Sequence, residues 1–327
     1  MLVPVGNKNY EWRAGLTLFG LLLLGIIILL ASCGKRESTS RATAQRTFAS
    51  PQAAGQALLD AAKSGDQSAL LAIFGSDGKD LISSGDTVKD QNTAKRFVAA
   101  YEQMNRWSKS TSGEQILYIG VDNLAFPIPL KQTSSGWAFD ADAGRDEVLA
   151  RRIGDGELTA IGVLTEIANA QQEYFKRNHQ FAQKLVSDEG QHNGLYWPAA
   201  EGQSPSPLGG FAELAKSLGY SHSDQPQPFN GYYYRVLTRQ TNPQGGVKDY
   251  FEKGRLTSFA VLAWPAKYRD SGIMTFVVGR DGVVRQKDLG DKTAEAHTVV
   301  TAYDPSWTVV LAPESANSST SPRSVGD

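Results

Sequence analysis

Apolar positions along the chain change period several times, and each change marks a boundary. Residues 1–13 are polar, whereas residues 14–31 are almost wholly apolar, and residues 34–47 contain no large apolar side chain. Helical spacing then begins: Ala54, Ala57, Leu58 and Ala61 share one face behind Ser50, an N-cap, and Pro51, a first-turn proline. Ser64-Gly65 closes that helix, and Asp66 caps a second one carrying Leu70, Leu71, Ile73 and Phe74. A longer helical pattern covers residues 90–107 with Phe97, Val98 and Tyr101. The period becomes strand-like at residues 116–119, 124–128 and 136–139.

A second round follows. Asp155 is placed to cap a helix whose stripe is Ile161, Leu164, Ile167, Ala168, Gln171, Tyr174 and Phe175. Residues 179–228 are rich in Gly, Pro and Ser and predict loops. Strands are expected at 232–238, 256–264, 273–278 and 283–287, with Asp281-Gly282 a strong hairpin turn and Lys253-Gly254 a weaker one. The expected organisation is a signal segment (1–32), a flexible tether (33–47), an α+β domain (48–143), a helix-plus-antiparallel-sheet domain (144–311) and a disordered Ser-rich tail (312–327). The fold class is α+β. The first part resembles a nuclear-transport-factor-2-like cone, and the second, a helix laid on an antiparallel meander, resembles the globular half of pilin-like proteins. Such analogies concern fold alone.

Composition adds exclusions. A chain of 327 residues with 41% hydrophobic and 20% charged residues suits about two packed domains. A formal net charge of −1 leaves no electrostatic footprint for nucleic acid. The single cysteine, Cys33, forbids an intrachain disulfide and sits at the end of the apolar run. Lys8 and Arg13 precede that run, and Leu30-Ala31-Ser32-Cys33 closes it in the manner of a bacterial lipobox. We therefore expect cleavage before Cys33, a lipid on its thiol, and a mature chain anchored to a membrane but facing away from the cytoplasm. Gly34, not Asp, follows, which points to the outer membrane in a two-membrane cell. The alternative is an uncleaved span, since about 18 apolar residues can cross a bilayer. Lys35, Arg36, Arg41 and Arg46 beyond the run would give that span the wrong charge asymmetry.

Several stretches carry a family resemblance: residues 48–54, 137–144, 151–154, 193–200, 231–235, 263–265 and 281–290, including Asn193-Gly-Leu-Tyr-Trp-Pro198 and Gly231-Tyr-Tyr-Tyr-Arg235. On these, nearly all of residues 48–310 resembles a bacterial family of exported proteins known as domain of unknown function 2950. The resemblance implies export but no activity, cofactor or catalytic residue. Many relatives have an acidic Asp/Gly loop after the Tyr174 helix, where this chain has Lys176-Arg-Asn-His179, so no calcium site is implied here.

Familiar chemistries fail residue by residue. The histidines His179, His192, His222 and His297 lack zinc-motif spacing, and Cys33 is committed to the anchor, so no metal or cofactor is expected. Around Ser204 the second glycine of a nucleophile elbow is missing. Asp140-x-Asp142-x-Gly144-x-Asp146 begins like an EF-hand, yet Gly144 replaces a ligand and Arg151 stands where Glu is required. What persists is an aromatic concentration. His192, Tyr196, Trp197, Tyr233 and Trp264 are the candidate ligand-binding residues, able to line a groove for a glycan, peptide or apolar ligand. Core packing of the same rings is the competing expectation. The functional expectation is a non-enzymatic, lipid-anchored binding or assembly module, with a membrane and an envelope protein or glycan as partners. An envelope hydrolase pairing His192 with Asp188, Glu189 or Glu201 is one alternative, and a pilus-like subunit is another. The pilus reading is weakened because Gly20 stands where pilin segments carry a glutamate.

Overall fold

The computed structural model describes residues 45–198, 204–221 and 226–310. The expected signal segment, Cys33, residues 33–44 of the expected tether, Glu201, His222 and the 312–327 tail lie outside the described residues. Among the described residues no helix is long and apolar enough to cross a membrane. Gln45 is held in place: its Nε2 donates to the carbonyls of Ile73 (3.0 Å) and Phe139 (2.7 Å).

The protein is α+β. Helix α1 (Pro51–Ser64) starts as its sequence dictates, with the Ser50 Oγ accepting from the Ala53 N–H at 3.2 Å. Helix α2 (Gln67–Phe74) is capped by Asp66 at 3.0 Å, and a short α3 (Lys79–Ile82) follows. Helix α4 spans Thr87–Gln103, not 90–107, because the buried Asp86 caps Lys89 and the chain turns extended at Met104. Trp107 therefore lies on β1 (Asn105–Lys109), packed over Gly55 of α1.

Strand β1 pairs antiparallel with β2 (Gln115–Ile119), which also carries β3 (Leu124–Ala125); β4 (Leu130–Thr133) and β5 (Gly136–Phe139) complete the order β1-β2-β4-β5. The expected strand 124–128 is cut short because Pro127 and Pro129 cannot donate to a ladder. Ala54, Leu58, Ile73, Phe74, Ile128, Leu130 and Phe139 form the core between these helices and this sheet.

The largest departure is α5 (Ala141–Asn178), a single helix of 38 residues. Asp140 caps it, accepting from the Ala143 N–H at 3.3 Å, so the apparent EF-hand start is a helix N-terminus. Asp155 is mid-helix, and its carboxylate lies 2.9 Å from the buried Lys89 ammonium. Gly144, Gly154, Gly156 and Gly162 mask the helical pattern. Two of them are packing requirements: a Cβ on Gly144 would stand 2.7 Å from Ile128 Cα, and one on Gly156 would strike the Ser271 carbonyl.

The C-terminal half of α5 lies on a second antiparallel sheet. Strands β6 (Lys184–Val186) and β7 (Gly194–Tyr196) pair in parallel, and α6 (Gly209–Ser217) follows, all inside the stretch expected to be loops. Next come β8 (Tyr232–Leu237), the hairpin of β9 (Arg239–Thr241) and β10 (Val247–Asp249), and the small hairpin of β11 (Phe251–Glu252) and β12 (Arg255–Leu256). Strands β13 (Ala260–Pro265), β14 (Met274–Gly279) and β15 (Val284–Asp288), helix α7 (Ala296–Val299) and β16 (Thr308–Val309) complete the chain. The main sheet runs β16-β15-β14-β13-β8. Asp281-Gly282 makes the β14–β15 turn and Lys253-Gly254 the β11–β12 turn, with positive φ at Lys253, Gly254 and Gly282. The expected strand 256–264 is divided between β12 and β13.

The sheet is covered on both sides, which is why β13 is an apolar run without alternation. Val261, Ala263, Phe276 and Val278 meet Leu164, Ile167 and Tyr174 of α5. Ala260, Leu262 and Val277 face the other way, beneath Val300, Tyr303 and Trp307. Gln171 sits fully buried on the apolar stripe because its amide closes two bonds to Ala182: it donates to the carbonyl at 2.8 Å and accepts from the N–H at 2.9 Å.

Candidate functional site

Beside the N-terminal end of β8 the strand β6, helix α6 and the middle of α5 diverge, leaving a cleft of about 750 Å³. Its walls follow from helical periodicity. Val163 and Ile167, one turn apart on α5, form one side, and Phe211, Ala212 and Ala215 of α6 form the other. Leu185, Tyr196, Leu208 and Phe229 close the ends. Aromatic packing stiffens one wall: Phe229 meets Phe211 edge-on (5.1 Å between centroids) and Tyr220 at 4.7 Å. Lys216 stands exposed beside the lining, and no carboxylate among the described residues pairs with it.

A buried polar knot holds the wall. The Asp86 carboxylate, 3% exposed, accepts from the Tyr220 hydroxyl (2.9 Å) and the Gly231 N–H (3.0 Å) while capping α4. The Asn230 N–H donates to the Tyr220 oxygen at 3.1 Å. Asn92 of α4 donates to the Leu218 carbonyl at 2.8 Å, tying down the end of α6. Tyr234 completes the lining with its ring, while its buried hydroxyl has no partner among the described residues. Burial, aided by Tyr220 and Asp86, pushes the Tyr234 phenol well above its ordinary range, so it stays neutral. Burial does the same to Tyr220.

The sequence-derived candidates are split by the sheet. Tyr196 lines the cleft. Trp197 is buried in the adjoining core, with His192 stacked on it at 4.3 Å. Tyr233 and Trp264 are cross-strand neighbours (5.5 Å) on the opposite face, where His297 stacks on Trp264. The Asp188 carboxylate bonds Lys184 and Asn193, which hold it below its ordinary range, and makes no bond to His192. Among the described residues no group of three or more His, Cys, Asp or Glu gathers as a metal site would. Val163, Ile167, Phe211, Ala212, Ala215 and Phe229 join the site without having been candidates from sequence. The signal present is the pair Phe211 and Ala215, four apart, inside a stretch whose Gly, Pro and Ser content predicts loops.

Fold and site together define an α+β protein with an apolar, aromatic-walled cleft beside a sheet edge. The chain belongs to the family described as Protein of unknown function (DUF2950), whose model matches residues 45–310. No curated protein and no solved structure matches the chain.

Proposed function

We propose that this is an exported envelope lipoprotein, lipidated at Cys33, whose folded part binds an apolar ligand in the cleft and catalyses no reaction. The cleft is the observation that carries this. Its volume of about 750 Å³ lies within the range of small-molecule sites, and its lining is mostly aliphatic and aromatic. Among the described residues the ionisable side chains of the lining are Lys216 and the phenols of Tyr196, Tyr220 and Tyr234, and burial holds the last two phenols neutral, which suits contact rather than proton transfer. The lipid anchor is supported by the lipobox-like residues that end in the chain's single cysteine.

Two measurements test the proposal. Cells fed labelled palmitate should label the wild-type chain and not Cys33→Ala; equal labelling removes the anchor. The full chain in phospholipid nanodiscs should bind the uncharged probe N-phenyl-1-naphthylamine above empty discs, and Ala212→Trp, which fills the cleft, should abolish the excess. Equal signal from wild type and Ala212→Trp would place the probe elsewhere and remove the cleft from the function.

A further inference from the structure

We infer that the occupant of the cleft is a single-chain acyl amphiphile with an anionic head, a long-chain carboxylate, lying beneath α6. This rests on the proposed apolar binding and adds a ligand class to it. Helix α6 supplies the first observation. It has nine residues, too few for a stable isolated helix, so it depends on packing. Its inward face, Phe211, Ala212 and Ala215, is apolar, yet none of its residues is buried. The helix is held through its ends: Leu208 N–H donates to the Leu195 carbonyl at 3.0 Å, and Leu218 is tied to Asn92. An occupant against that face completes its burial. Two alanines leave a slot opposite Val163 and Ile167, a shape suited to a flexible methylene chain.

Charge supplies the second observation. Lys216 lies on the same helix, one position beyond Ala215, exposed and next to the apolar lining. It is without a carboxylate partner among the described residues, whereas Lys184, at the neighbouring strand β6, is paired with Asp188. A carboxylate there keeps its hydration and meets an ammonium while its chain enters the cleft. A peptide segment would need polar partners for its backbone, whereas the side chains of the described lining are mostly apolar.

The test uses the full chain in phospholipid nanodiscs with a diazirine-bearing hexadecanoate as probe, and adducts are mapped by mass spectrometry. Adducts should fall on α6 and on α5 near Val163 and Ile167. Competing alkyl carboxylates should gain about fourfold in potency per added methylene until the cleft is filled. Lys216→Glu should weaken the carboxylate roughly tenfold and leave hexadecanol unaffected. Being an exposed change, it leaves folding intact. Equal competition by hexadecanol and hexadecanoate, insensitive to Lys216→Glu, would overturn the anionic head while apolar binding stands. Cleft adducts displaced by an apolar peptide and by no alkyl carboxylate would overturn the acyl class. Adducts confined elsewhere, with no effect of Ala212→Trp, would overturn both this inference and the binding it rests on.

Discussion

At the scale of single residues, Asp86 does more than any other side chain to shape the site. One carboxylate caps α4, accepts the Tyr220 hydroxyl and accepts the Gly231 N–H at the entry to β8. Asp86→Ala leaves those donors buried without acceptors. It should destabilise the protein by about 3 kcal/mol, read as a lower urea midpoint for the full chain. A change under about 0.5 kcal/mol, the size of an ordinary surface substitution, would show that the knot is not structural. This residue was invisible as a site element in the sequence, because the partners that tie it to the cleft wall, Tyr220 and Gly231, lie 134 and 145 positions away. By contrast, strand alternation correctly put Tyr232 and Tyr234 on one face and Tyr233 on the other. It could not say which face adjoined a cleft.

At the scale of elements, helix caps and hairpin turns were legible because their chemistry is local. Ser50, Asp66, Asp281-Gly282 and Lys253-Gly254 act on neighbours within a few residues. The start of α5 was misread because its glycines answer to distant backbone, Ile128 and Ser271, and not to the helix itself. The same contacts yield a paired prediction. Gly154 faces open space, so Gly154→Ala should stabilise by about 0.5–1 kcal/mol through helix propensity. Gly156→Ala gains the same propensity but meets the Ser271 carbonyl, and should destabilise by about 1–3 kcal/mol. Thermal unfolding of both variants decides, and shifts of the same sign would contradict the packing described. Helix α6 was missed because Gly209, Gly210 and the prolines before it read as loop.

At the scale of the whole molecule, α5 belongs to both cores. Its first turns press Gly144 on Ile128, and its later turns carry Leu164 and Ile167 under the main sheet. Arg152 adds a polar rivet between the two parts. It donates to the carbonyls of Asp80 (2.8 Å) and Leu81 (2.9 Å) and pairs with the buried Asp270. Removing it as Arg152→Met leaves the Asp270 carboxylate to Lys267 alone and the Asp80 and Leu81 carbonyls without their donor, and should cost about 1–3 kcal/mol by urea denaturation. A loss below about 1 kcal/mol would contradict a bridging role.

Alkaline pH acts on the same whole. Tyr232 and Tyr234 are held neutral by burial well above 10.0, the ordinary phenol value to which unfolding returns them. Above that pH the unfolded chain binds fewer protons than the folded one, so stability falls as pH rises, by about 1.4 kcal/mol per pH unit for each such phenol. Urea midpoints at about pH 9 and about pH 11 should differ accordingly, with a smaller difference in Tyr234→Phe. Equal midpoints would mean that these phenols ionise in place.

The central claim is that something apolar lies under α6. Its most direct test is hydrogen–deuterium exchange of the full chain in nanodiscs, with and without hexadecanoate. The account predicts slowed exchange in residues 209–218 and in the α5 segment around Val163 and Ile167, lost in Ala212→Trp. Unchanged exchange there, with protection arising at another surface, would contradict it.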